Sequence, residues 1–220
     1  MRSLHLALAV RLLPVVVLAT AGWAMASGPF ASTPDAENKS AADNGSNSPS
    51  APSTSAATKT YADSPAPCEG ISKKTVTSLV PGAKAAGKEI RSTDESLRRT
   101  CSWNALKGFE YHWLDVTYEI KKSDEAAATA YKQRTTDNSG GGTIPGLGDS
   151  AYSVVNLTTE DKQQTREGMV IARASNALVV VTYNGSDFET KKAPGTDEIN
   201  KGAIKAAKEA VTALESVQKS

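Results

Sequence analysis

The chain has 220 residues, 25 Lys and Arg against 24 Asp and Glu, and only 5% aromatic side chains. That charge balance gives no global field toward nucleic acid or anionic lipid, and no run of five like charges supplies a local one. Two cysteines (Cys68, Cys101) and two histidines (His5, His112) leave little material for a metal centre or a nucleophilic triad.

In chain order, residues 1–26 read as a secretion signal. A basic start with Arg2 and Arg11 precedes the apolar run Leu12 to Ala19, and Ala24-Met25-Ala26 offers the small side chains that signal peptidase accepts. Cleavage is expected after Ala26. The alternative, an uncleaved anchor, has only the stretch from Leu12 to Ala26 with which to cross a bilayer, short of the ~20 residues required. No cysteine stands near the cleavage point to accept a lipid. Removing the signal takes two Arg and no acid, leaving 23 basic against 24 acidic residues.

Residues 27–66 are rich in Ser, Ala, Pro and Thr, with Phe30 and Tyr61 as their large apolar members. Such a stretch buries too little to offset its ordering entropy and is expected to be disordered, as a tether or as a solubilising tail. Residues 67–220 are of single-domain size.

Within that domain Ser72 caps a short helix with Val76, Leu79 and Val80 on one face, closed by Pro81-Gly82. Strands are expected near Lys88–Thr93 and Arg99–Leu106, then from Phe109 to Lys121. In the last of these, His112, Leu114, Val116, Tyr118 and Ile120 alternate as a buried face. Ser123-Asp124-Glu125 opens a helix to about Asp137, with two acids at its positive end. After the breaks at 140–142 and 145–148, strands follow near Ala151–Leu157, Gly168–Ala174 and Ala177–Tyr183, with a tight turn at Ser175-Asn176. Leu178-Val179-Val180-Val181 suits a central strand covered on both faces. Thr196 or Asp197 then caps a final helix with an apolar stripe from Ile199 to Val217. Segregated strands and helices predict an α+β fold with a mainly antiparallel sheet flanked by helices. In an exported chain the isolated pair Cys68 and Cys101 reads as a disulfide, closing a loop of about 34 residues for roughly 3–4 kcal/mol.

Pro67-Cys68, Cys101-Ser102-Trp103, the run Pro145 to Ala151, Asn176 to Val181 and the Ala-rich final helix are spread along nearly the whole length of the domain. In order and spacing they resemble the actinobacterial envelope lipoprotein family known as domain of unknown function 3558. The resemblance implies an α+β domain in the cell envelope and supports the Cys68–Cys101 bond, but brings no catalytic residues. The chain departs from the family in lacking its lipid-acceptor cysteine.

Chemistry-bearing patterns are sparse. Gly146-Leu147-Gly148-Asp149-Ser150-Ala151 matches a dinucleotide fingerprint in letters, but a glycine loop precedes it and a strand follows, so it reads as a connector. His112 lies on the apolar face of its strand and reads as a core histidine. The other face carries Phe109, Tyr111 and Trp113, then Asp115, Thr117 and Glu119. Either the final helix covers these aromatics, or they form an exposed binding groove to which Trp103 contributes. The functional expectation is an exported, non-enzymatic binding domain, extracellular or in the cell envelope, that engages an envelope partner through Trp103, Tyr111 and Trp113. A carrier holding a small amphipathic ligand between sheet and helix is the alternative. No cofactor, metal or nucleic acid is expected, and membrane contact only through an uncleaved signal. An enzyme would need polar groups converging on His112, Asp149 or Glu119.

Overall fold

The computed structural model describes residues 60–217, so the expected signal and most of the expected spacer lie outside the described residues. The fold is α+β. Seven antiparallel strands run in chain order as β1 (Lys88–Ile90), β2 (Arg98–Lys107), β3 (Glu110–Ile120), β4 (Gly142–Thr143), β5 (Ser150–Glu160), β6 (Gln163–Ala174) and β7 (Ala177–Asp187). They form one sheet in the order β1-β2-β3-β7-β6-β5-β4. Three helices flank it: α1 (Lys73–Leu79), α2 (Asp124–Asp137) and α3 (Thr196–Val217).

Short turns set the registers. Gly108 (φ 64°) and Phe109 join β2 to β3, pairing Lys107 with Glu110 and hence Trp103 with Leu114. Asp161 and Lys162, both at positive φ, close the β5–β6 hairpin with the backbone twist that two-residue hairpins favour. Ser175 and Asn176 close β6–β7 as the sequence predicts. The strand predicted from Phe109 begins one residue later, with Phe109 in the turn.

The alternation of β3 extends across the sheet. Leu114, Val116, Tyr118 and Ile120 pair with Tyr183, Val181, Val179 and Ala177, and all eight are buried. This is the face that α3 covers. Tyr118 donates its hydroxyl to Ala210 O at 3.0 Å, and a Cβ on Gly168 would meet Ile199 and Ala203 of the helix. The helix stripe is mostly alanine, so α3 lies close against the strands, and Leu214 and Ile199 fill its two ends. Helix α1 is capped by Ser72 Oγ, which accepts from Thr75 N. It is tied to α3 through Glu209, which accepts from Ser72 N and Thr75 Oγ1.

Helix α2, capped by Ser123, lies on the other face near β6 and β7, over fully buried Leu178 and Ile171. The apolar run of β7 therefore occupies the middle of the sheet with a helix on each side of it. Cys68 and Cys101 form the expected disulfide, with Cα atoms 5.1 Å apart. The folded unit also takes in Tyr61, which the sequence places in the spacer. Tyr61 is buried, and the side chain of fully buried Asn176 bonds its N–H and its carbonyl.

Candidate binding face

Because α3 takes the face of the even β3 positions, Tyr111, Trp113, Asp115, Thr117 and Glu119 all fall on the opposite face. Helix α2 reaches only the far end of that face, where Arg134 and Lys121 pair with buried Glu119 at 2.6 and 2.8 Å. Burial alone would raise the Glu119 carboxyl, but the hydrogen bonds from Lys121 and Arg134 outweigh it and hold the group below its ordinary range. Glu119 is thus a structural ion pair.

The other half of the face, around Trp113, carries no covering element among the described residues. Trp113 is 37% exposed, and its indole N–H is shared between Ser102 Oγ and Asp115 Oδ1, both at 2.7 Å. The ring is therefore pinned at one edge and partly open to solvent. Across the sheet its neighbours in register are Asn104, Asn184 and Glu167. Burial raises the Glu167 carboxyl above its usual range, with nearby Asp115 adding to the effect and an Asn184 hydrogen bond opposing it.

Toward the β1 edge Trp113 forms one wall of an open cleft of about 550 Å³, lined also by Lys88, Ile90, Arg91, Ser102 and Asn104. Beyond Trp113, Tyr111 packs against Phe188 with ring centroids 6.2 Å apart. Phe109, Leu106 and Phe188, each about half exposed, continue this apolar end of the sheet.

Trp103 is not part of this surface. A two-residue turn between β2 and β3 pairs odd with even positions, so Trp103 stands opposite Leu114 on the helix face. There it is 1% exposed and donates to Ala85 O. The predicted trio therefore divides, with Tyr111 and Trp113 on the open face and Trp103 in the core beside the disulfide. Tyr111 and Trp113 also lie on the far side of the sheet from α3, so no cavity is lined by both them and that helix.

His112 is buried as expected, with its ring stacked on Tyr183. Tyr183, pushed up to about 12 by burial, donates its hydroxyl to Leu79 O at 2.9 Å and lies 3.2 Å from His112 Nδ1. Its single proton goes to the carbonyl, so Nδ1 carries a hydrogen and donates to the phenol oxygen. Burial lowers the imidazole pKa, with Glu110 and Glu198 pulling weakly the other way. These two acids and His112 border a small cavity of about 170 Å³ beneath the 190–194 segment.

His112 and Glu119 are on opposite faces of β3. Asp149 is engaged by Arg173 at 3.2 Å and accepts from Ser175 N. Among the described residues no group of three or more His, Cys, Asp or Glu is placed to hold a metal ion, and no helix is long and apolar enough to cross a membrane.

No family model matches the chain, and no curated protein matches it. Among solved structures, a protein from Bacteroides thetaiotaomicron VPI-5482 aligns with 54% of this chain at 11% identity and a TM-score of 0.33. The chain spans 46% of that protein's length. Ara h 8.0201 aligns with 69% of this chain and 83% of its own at 9% identity and a TM-score of 0.20.

Proposed function

We propose that this is an exported, non-enzymatic binding domain that engages its partner in the extracellular space or cell envelope through the open half of its sheet, centred on Trp113. The observation that carries the reading is the placement of that indole. It is a large, partly exposed aromatic on an uncovered sheet face, its N–H shared between two acceptors, and it is bordered by a cleft. Pinned aromatics with a polar surround are effective anchors because they bury much area at little cost in side-chain entropy. The intramolecular disulfide is consistent with an oxidising compartment. The leader at residues 1–26 would deliver the domain there, and the resemblance to actinobacterial envelope lipoproteins points the same way.

The carrier reading survives in altered form. A cleft of about 550 Å³ falls within the size range of small-molecule sites, so a small amphipathic ligand fits beside Trp113 instead of under α3. A photo-crosslinking residue at position 104 or 106, on the open face beside Trp113 and Tyr111, expressed in the native host, tests the proposal. Adducts are expected there and not from a probe at Lys208, an exposed position on α3. Equal labelling at all three sites, or labelling at 208 alone, overturns it.

A further inference from the structure

We propose that the cleft beside Trp113 takes an acidic sugar, its carboxylate met by Lys88 and Arg91 and its ring laid against the indole. The inference rests on the open-face reading and names the ligand class for it.

Four observations converge. First, the Trp113 N–H is already used by Ser102 and Asp115, so the indole offers a ligand only flat apolar surface. Second, Ile90, 45% exposed, gives the same cleft a second apolar lining. Third, the polar groups suit hydroxyls. Ser102 Oγ accepts from the indole, which leaves its own proton free to donate. The exposed Asn104 amide presents a donor and an acceptor with no partner among the described residues. Fourth, the charge is one-sided. Lys88 and Arg91 have no acidic partner among the described residues. The one carboxylate of the lining, Glu89, has both oxygens bound by Arg99 at 2.6 and 2.9 Å.

A wholly apolar ligand would strip water from these polar groups without replacing their hydrogen bonds. A neutral sugar would leave both cations unanswered. A uronate ring has a C–H face for the indole, hydroxyls for Ser102 and Asn104, and a planar carboxylate that a guanidinium binds through two oxygens.

The probe is trigalacturonate, with maltotriose as its neutral counterpart, titrated into the oxidised full-length protein by calorimetry at about 0.15 M salt. Saturable binding of trigalacturonate, about ten-fold tighter than maltotriose, is expected, and Lys88→Glu with Arg91→Glu removes that preference. Both positions are exposed, so the doubly substituted protein keeps its fold, checked by circular dichroism. Trp113→Ala is expected to lose both sugars. Equal affinity for the two sugars, or an unchanged preference after the charge reversals, overturns the acidic-sugar assignment and leaves the open-face reading standing. Failure of trigalacturonate to bind overturns the assignment too. Tight trigalacturonate binding that survives Trp113→Ala places the site elsewhere and counts against both readings.

Discussion

Replacing Tyr183 with Phe removes one oxygen from the centre of the helix face and leaves the ring in place. The phenol is 3% exposed and serves two groups at once. It donates to the carbonyl of Leu79, the last residue of α1 and one of the helix-end acceptors with no partner inside the helix. It also accepts from His112 Nδ1. Without it both groups are buried and unpaired. At about 0.5–1.5 kcal/mol per net hydrogen bond the expected loss is about 2 kcal/mol, with apolar burial unchanged. For a domain of this size that lowers the midpoint of thermal unfolding by roughly 4–8 °C. Guanidinium denaturation of the oxidised protein measures the loss, and nitrogen NMR of His112 shows whether Nδ1 carries the proton. A loss below about 0.5 kcal/mol, or an Nε2–H tautomer, refutes the network as described.

Three further outcomes follow from the same packing. Gly202→Ala adds a methyl where Tyr183 ring carbons would lie at 2.6 and 2.8 Å. A substitution that gains about 1 kcal/mol in an open helix is therefore expected to cost about 1–3 kcal/mol, read from the denaturation midpoint. Reducing the Cys68–Cys101 bond, 33 residues apart in sequence, should cost roughly 3–4 kcal/mol by the chain-entropy argument, and an unchanged midpoint with reductant would contradict it. Because burial depresses the His112 pKa, the folded state binds fewer protons there than the unfolded chain. Its contribution is whole above the ordinary value near 6.5 and is lost as pH falls from there toward the depressed value. A stability profile over that window should slope in the wild type and flatten in His112→Gln.

The fold was legible because its main signals are local. The alternation from His112 to Ile120, the caps Ser72 and Ser123, and the apolar run of β7 each depend on side-chain periodicity or turn chemistry, which neighbours in sequence carry. The site was half legible. The aromatic odd face of β3 is written in the chain, but the choice of face by α3 is not. An alanine stripe packs on either, and only the sheet-wide pairing of Leu114, Val116 and Tyr118 with the apolar positions of β7 decides it. Trp103 was misplaced although its parity was readable. Any two-residue turn near Gly108 sets odd positions of β2 against even positions of β3. The cleft lined by Lys88, Arg91 and Asn104 was not readable, because it depends on β1 pairing at the sheet edge. Nor was the clamp of Asn176 on Tyr61, which joins residues 115 apart.

Side-chain oxidation by hydroxyl radicals, compared between the purified protein and the protein in its own cell envelope, tests the open-face account most directly. Trp113, Tyr111 and Ile90 are expected to be oxidised in the purified protein and protected in the envelope, with exposed Leu157 and Val217 reacting alike in both. Equal oxidation of Trp113 in the two settings, or protection confined to α3, would contradict a binding surface on the open half of the sheet.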